Sequence, residues 1–361
     1  MNKREYLIKK LKEEFCHIDF KERKKTPERL IDLFINKFAD YLIFLKKIDD
    51  CIKNERFPNI SLEKKLTQKS NMLMKFAYKL ENSISSLRVK KHLRKIFRKF
   101  AGKYIFQSKI IKHAYEKPYG YPGDYMLFEF VYDGIPLSEG IGWYFDKYAL
   151  NHILRIGVVN RKNKMKNLLK EFIGEYRKVK IMNLGCGGCR EIRELISRYK
   201  FPKRKIEFTC IDQDEGALKF AKSNFKKIFI PENIKLIFKK ENIINIIGFG
   251  EKIKRRIKKD IIYSLGVADY FLDNVLERFI KFYYELLQPN GKLIFTLCSC
   301  DNSLPYTHLR WFCEWIFYTR SLEFTKKFIK DTLKLKSIKI IRESTHQIFF
   351  IIIEKNKKVI N

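Results

Sequence analysis

No stretch of the 361-residue sequence reaches the about 18 consecutive apolar positions that a membrane-spanning helix requires. The longest aliphatic run, Ile348 to Ile353, has the length of one buried strand. Met1-Asn2-Lys3-Arg4-Glu5-Tyr6 leads into a charged helical pattern without an apolar segment and small-residue cleavage site, so no secretory signal is expected and a cytoplasmic location is. Cysteine is too sparse for a disulfide scaffold: eight residues, at 16, 51, 186, 189, 210, 298, 300 and 313, are scattered along the chain and read as free thiols. Cys186 and Cys189 have the spacing of half a metal or redox site, but no second CxxC or HxxxH follows, and no metal site is expected. Acidic residues are few, 41 against 76 Lys and Arg, for a net charge of +35. The excess is spread over both halves without an Arg-rich stripe or an aromatic-basic repeat. It therefore implies a screened positive surface rather than a nucleic-acid partner.

The length and the 45% hydrophobic content predict two domains. Glycine is missing before Gly102, and Leu30, Leu33, Phe34, Phe38, Tyr41, Leu42 and Leu45 recur at three- and four-residue spacing, as do apolar positions from Leu62 through Phe106. Residues 1–112 are thus predicted to form a helical domain, with Pro27 and Pro58 between helices and the basic run Arg88 to Lys103 as a solvated helix face. Residues 113–164 change character: Pro118, Gly120, Pro122, Gly123, Gly134 and Pro136 interrupt a Tyr- and Phe-rich segment, predicted to be a lid or connector over a pocket. Residues 165–361 alternate strand and helix. Strands are predicted at Val179–Leu184, Ile206–Ile211, Ile234–Phe238, Asp260–Ser264, Gly291–Leu297, Ser337–Ile341 and Gln347–Glu354. Helices are predicted at Glu191–Tyr199, Glu215–Phe229, Leu272–Leu287 and Leu309–Leu333. The expected fold is α/β: a doubly wound, Rossmann-like, mostly parallel sheet whose last strand is antiparallel, with an N-terminal helical domain.

The first strand ends in Asn183-Leu184-Gly185-Cys186-Gly187-Gly188, a glycine turn that lets the backbone approach a nucleotide-like ligand. The full GxGxxG spacing of a dinucleotide site is missing, because Glu191 and Ile192 follow Arg190. Asp212 ends the second strand, 27 residues after Gly185, where a carboxylate is placed to accept both ribose hydroxyls of an adenosine. Asp214 reads as the cap of the next helix. Gln213 lies between them, and after the third strand Asn242 offers a side-chain amide to an adenine edge. Gly266-Val267-Ala268-Asp269-Tyr270 follows the fourth strand, and Pro289-Asn290-Gly291 is read as a turn into the fifth. This order points to a methyltransferase that uses S-adenosyl-L-methionine, with Asn183, Gly185, Gly187, Asp212, Gln213, Asn242 and Gly266 as cofactor-site candidates.

Outer motifs add a resemblance. Lys117-Pro118-Tyr119-Gly120-Tyr121-Pro122-Gly123-Asp124-Tyr125, Val159-Asn160-Arg161, the glycine loop, Gly266 to Tyr270 and Trp315-Ile316-Phe317-Tyr318-Thr319-Arg320 occur in this order. Over roughly residues 105–354 the chain resembles the bacterial methyltransferases labelled 3-hydroxypalmitic acid methyl ester biosynthesis proteins. The resemblance implies a class I methyltransferase fold and methylation of a fatty-acid carboxyl. The chain departs from the pattern at Ala268, where a Phe is expected, and at Thr296-Leu297-Cys298-Ser299-Cys300 after the fifth strand.

Methylation of a carboxylate requires alignment and no proton removal. Arg161 and Arg320 are candidates to hold the acceptor carboxylate, and Tyr125, Tyr270 and Trp315 to wall an acyl chain. Asp124 and Asp269 are candidates for the cofactor ammonium, for pairing with those arginines, or as general base toward a hydroxyl or amine acceptor. The expected partner is a small-molecule or acyl-chain acceptor, with an acidic acyl carrier protein as one vehicle. Two alternatives stand beside this. One is an RNA cytosine-C5 methyltransferase using Cys298, although its Pro-Cys motif after the fourth strand is replaced by Ser264-Leu265-Gly266. The other is a non-catalytic cofactor-binding protein.

Overall fold

In a computed structural model, residues 2–16, 28–52, 59–248 and 258–355 are described; Pro27 and Pro58 lie outside them. The chain divides into two units, Met1–Arg155 with Ser303–Ile316, and Ile156–Asn302 with Phe317–Asn361.

The first unit is helical. Its apolar three/four periodicity becomes the helices Lys3–Cys16, Glu28–Ile52, Ile60–Asn82 and Leu87–Ile105. Buried side chains from these helices, with Phe34, Phe38 and Phe97 at the centre, surround Trp311 of the helix Leu304–Cys313. Side-chain oxygens of Asn59, Ser86, Ser108 and Asp124 accept backbone N–H groups at four helix starts. The aromatic stretch expected to be loop is largely helical, as Tyr125–Asp133, Gly140–Leu150 and the start of Ile153–Gly174. Its glycines punctuate helix ends: Gly134, at φ +69, closes Tyr125–Asp133 in the left-handed region.

The single helix expected from Leu309 to Leu333 is two, Leu304–Cys313 and Leu322–Leu333. Glu314 ends the first at φ +49, and 317–320 run extended beside the end of the fifth strand, where Ser299 bridges Arg320. The first helix also begins earlier than expected, at Leu304, with Pro305 in its first turn.

The second unit is a seven-stranded sheet: β1 Lys178–Leu184, β2 Lys205–Asp212, β3 Ile234–Lys240, β4 Lys259–Ser264, β5 Leu287–Cys298, β6 Lys339–Arg342 and β7 Ile348–Glu354. Their spatial order is β3-β2-β1-β4-β5-β7-β6, with β1 to β5 parallel and β7 antiparallel to both neighbours. This is the doubly wound Rossmann-like sheet with an antiparallel last strand, and its order reverses between β1 and β4, where such sheets bind ligands. Both faces are covered, as a parallel sheet requires. One face buries Val179, Ile181, Phe208 and Cys210 under the helices Ile153–Gly174, Arg190–Arg198 and Glu215–Phe225. The other buries Met182, Leu184, Ile211 and Ile262 under Asp273–Glu285 and Leu322–Leu333.

Pro289-Asn290-Gly291 is not a turn before β5 but a bulge within it. The β4–β5 register jumps from Lys259↔Leu287 to Ile261↔Lys292, with Asn290 at φ +61. No described helix is long and apolar enough to cross a membrane.

Candidate cofactor site

β1 delivers the chain to Gly185, at φ +64, followed by Gly187 at φ +50 and the helix Arg190–Arg198. A Cβ on Gly185 would lie 2.3 Å from Val267 Cγ2, so the turn after β1 packs bare backbone against the turn after β4. Asp212, at the end of β2, joins this loop. Its Oδ2 accepts the Gly187 N–H at 2.8 Å and its Oδ1 accepts the Asp214 N–H at 2.9 Å, leaving the residue 8% exposed. Burial raises the Asp212 carboxyl above its ordinary range, against these backbone hydrogen bonds. Asp214 caps the helix Glu215–Phe225 by accepting the Gly216 N–H at 2.7 Å.

Beside Asp212, Asn242 donates its amide to Gln213 Oε1 at 2.8 Å and caps the short helix Ile243–Gly248 through Oδ1. Gly266, at φ +81, completes the rim. Its N–H donates to Thr296 Oγ1 at 3.0 Å, and a Cβ there would meet Arg161 Nη1 at 2.5 Å. Gly185, Gly187, Asp212, Gln213, Asn242 and Gly266 are therefore gathered at the carboxyl edge of the sheet, with the buried Arg161 laid across Gly266.

Asn183 does not join them. It is 2% exposed on the opposite sheet face, and its amide donates to Glu191 Oε1 at 2.9 Å, as does the Tyr263 hydroxyl at 2.7 Å. Burial pushes the Glu191 carboxyl up to about 7. Glu191 is the residue that sequence reasoning passes over; the signal is an acid in the first turn of the helix that follows a glycine loop.

Asp269 is buried in the short turn Ala268–Tyr270, where its Oδ1 accepts the Cys298 N–H at 2.6 Å. Burial raises this carboxyl, while the Cys298 N–H and the charges of Arg161 and Arg320 act in the other direction. Tyr270 meets Phe317 edge-on at 6.1 Å. Arg320 is engaged within the fold: Nη2 donates to Phe271 O at 2.6 Å and to Asp273 Oδ1 at 2.8 Å, Nε to the same Oδ1 at 3.1 Å, and Nη1 to Tyr318 O at 3.2 Å. It clamps the turn after β4 to the segment beside β5, so its fork is committed to carbonyls and Asp273 rather than open to an acceptor.

Asp124, Tyr125 and Trp315 belong to the helical unit. Asp124 is 1% exposed; it accepts the Leu127 N–H at 2.9 Å and meets His113 Nε2 at 2.9 Å through both oxygens. Tyr125 packs on Tyr119 at 4.9 Å, and Trp315 meets Phe128 edge-on at 6.5 Å.

The sequence matches no protein-family model and no curated protein. Among solved structures, the chain is similar to a possible exported protein from Bordetella parapertussis, at 11% identity and a TM-score of 0.51, over 89% of this chain and 96% of that one. It is also similar to the magnesium protoporphyrin IX methyltransferase of Synechocystis PCC 6803, solved with bound S-adenosylmethionine, at 12% identity and a TM-score of 0.40, over 57% of this chain and 85% of that one. A third is the N-methyltransferase NodS of Bradyrhizobium japonicum, at 12% identity and a TM-score of 0.36, over 55% of this chain and 97% of that one. At these identities the likeness is one of fold, and the fold is the Rossmann-like α/β sheet described above.

Proposed function

We propose that the protein is an S-adenosylmethionine-dependent methyltransferase that methylates an oxygen of a small or acyl-chain acceptor, such as a fatty-acid carboxyl. The observation that carries the reading is Asp212 at the carboxyl end of β2, bonded to the Gly187 N–H of a loop whose Gly185 has no room for a side chain. These residues fit the cofactor. Gly185, packed on Val267, fixes the turn of the loop, the Asp212 carboxylate is an acceptor for paired ribose hydroxyls, and the Gln213–Asn242 amide pair is suited to an adenine edge. When bound, the cofactor supplies an electrophilic methyl group on sulfur.

The protein's own part is alignment and exclusion of water. Arg161, buried across Gly266 at the carboxyl edge of the sheet, is the arginine placed to orient an acceptor carboxylate, while Arg320 acts as a clamp. Asp269 and Tyr270 support the turn on which that arrangement rests. A carboxylate acceptor needs no base. The acyl nature of the acceptor rests on the resemblance of residues 105–354, and the +35 charge favours an acidic carrier of it.

The test is an acceptor screen with labelled methyl donor across free fatty acids, acyl carriers and total RNA. Labelled methyl ester from an acyl substrate is expected. Methylated RNA that disappears in Cys298→Ala would establish the cytosine-C5 reading instead, because that chemistry forms a covalent bond through its cysteine.

A further inference from the structure

Cys186 and Cys189 flank Gly187 and Gly188 in the loop after β1, and the fold brings a third thiol to them, that of Cys210 in β2. The Cys186 N–H donates to Ile211 O at 3.0 Å, which lays the start of the loop beside the end of β2. The Cys189 N–H donates to Cys186 O at 2.9 Å and closes a four-residue turn. Such a turn keeps its end Cα atoms within about 7 Å, close to what a disulfide spans. Both sulfurs converge on one carbonyl: Cys186 Sγ lies 3.7 Å and Cys189 Sγ 4.0 Å from Gly187 O. Cys210 pairs in register with Asn183 of β1, and the three thiols hydrogen-bond to one another in one buried cluster, of which Cys186, at 7%, is the most exposed member. The hydrogen bonds from Cys186 and Cys189 hold the Cys210 thiol below its ordinary value, against its burial. Cys189 also occupies the N-cap place of the helix Arg190–Arg198 at φ +51 and makes no side-chain cap hydrogen bond. Gly or Asn tolerates that φ and caps better, so neither backbone preference nor capping explains a cysteine there.

We propose that Cys186 and Cys189 are a reversible redox site built into the glycine loop, oxidised by a peroxide to a disulfide and reopened by a small thiol. Cys186, the more exposed, attacks the peroxide O–O bond as its thiolate and becomes a sulfenic acid; Cys189, hydrogen-bonded to it, then displaces the sulfenic oxygen as water. Over both steps one O–O and two S–H bonds break and one S–S and two O–H bonds form. The two sulfurs lose the two electrons that reduce hydrogen peroxide to two waters, which carry away the thiol protons. Cys210, accepting hydrogen bonds from both partners, draws the proton from the attacking thiol and acts as a positioning residue. Bringing the two sulfurs to bonding distance, about 2.05 Å, tightens the turn around Gly187, whose N–H Asp212 accepts at 2.8 Å. Oxidation thereby disturbs the contact between the loop and Asp212. The resulting loss of cofactor affinity rests on the function proposed above; the redox site itself does not.

The test is peptide mapping of the folded full chain after hydrogen peroxide treatment, with remaining thiols alkylated in denaturant before trypsin digestion. Cleavage after Lys180 and Arg190 releases a peptide that holds Cys186 and Cys189 without Cys210. It is expected to escape alkylation, to be lighter than its dithiol form by two hydrogen atoms, and to regain both thiols with dithiothreitol. Cys189→Ser should abolish that species, and Cys210→Ser, folded by circular dichroism, should slow its formation by about fivefold or more. By calorimetry the oxidised wild type should bind S-adenosylmethionine at least about tenfold more weakly than the reduced protein, with dithiothreitol restoring the affinity. A peptide that keeps two alkylated thiols after peroxide, or a cross-link from Cys186 to Cys210 in its place, would overturn the site. Equal affinity in the oxidised and reduced proteins would overturn its coupling to the loop. A disulfide that forms in a protein whose reduced state binds no S-adenosylmethionine would support the redox site and count against the proposed function.

Discussion

Gly185 shows how one residue couples two turns. Its positive φ already disfavours a β-branched side chain, and a Cβ at this position would stand only 2.3 Å from Val267 Cγ2, which removes any space for one. Gly185→Val is therefore expected to abolish binding of S-adenosylmethionine, read by calorimetry; a variant that binds like the wild type would mean that this loop is not the site. Glu191 acts differently. It accepts hydrogen bonds from Asn183 and Tyr263 in a buried setting that raises its carboxyl to about 7 from an ordinary 4.5. The folded state binds this proton more tightly than the unfolded one, so the stabilisation is complete below about pH 4.5 and is lost as pH rises through 7. Glu191→Gln keeps an acceptor oxygen without the charge. It should stabilise the protein at pH 8 by roughly 2–3 kcal/mol in urea titrations, with little effect at pH 4.5. Equal destabilisation at both pH values would contradict a raised carboxyl. Nearness to Gly185 in sequence groups Asn183 with the cofactor residues, but strand alternation decides the matter. Asn183 shares the face of Ile181, not that of Leu184, and so points to Glu191.

Among the elements, the strands are the most legible part of the chain, because short runs of Ile, Phe and Leu bounded by glycine or charge leave little choice of structure. The carboxyl edge is legible for the same reason: strand ends place Gly185, Asp212 and Asn242 together once the sheet is parallel. The connections are not. Apolar residues continue in helical spacing from Leu304 to Leu333, so the extended crossing at 317–320 has no sequence mark beyond Glu314, whose left-handed conformation is uncommon for its type. The role of Arg320 follows from that crossing, because the carbonyls of Phe271 and Tyr318 come to it only when the segment lies beside β5. Arg320→Gln should therefore lower stability by about 2 kcal/mol, through loss of bonds to buried carbonyls and Asp273, measured by denaturant unfolding. Unchanged stability with a collapsed kcat/KM would instead make it an acceptor-gripping residue.

Across the full chain, the two units draw on the sequence in different ways. The helical unit gathers Phe34, Phe38, Phe97 and the distant segment Ser303–Ile316 into one core around Trp311, a closure that no local pattern announces. That same unit carries a pair of half-buried histidines, His152 and His308, with ring centroids 4.5 Å apart. Burial lowers the His152 imidazole to about 4 and holds His308 well below its ordinary value, the charge of His152 adding to the effect on His308. The unfolded chain binds these protons more readily, so their stabilisation is present above about pH 6.5 and is lost as pH falls toward 4. Thermal unfolding followed from pH 7 to pH 4 should show a falling Tm, and His152→Asn should flatten that fall. A profile identical in the variant would mean that His152 does not drive it.

Whether the glycine loop and Asp212 together hold S-adenosylmethionine is decided by calorimetric titration of the wild type and of Asp212→Ala with that molecule. Saturable one-to-one binding by the wild type is expected, weakened in the variant by roughly 1.5–3 kcal/mol through loss of a charge-assisted ribose contact, with the variant still folded by circular dichroism. No binding by the wild type, or equal affinity in a folded Asp212→Ala protein, would contradict the assignment of this edge of the sheet as the cofactor site.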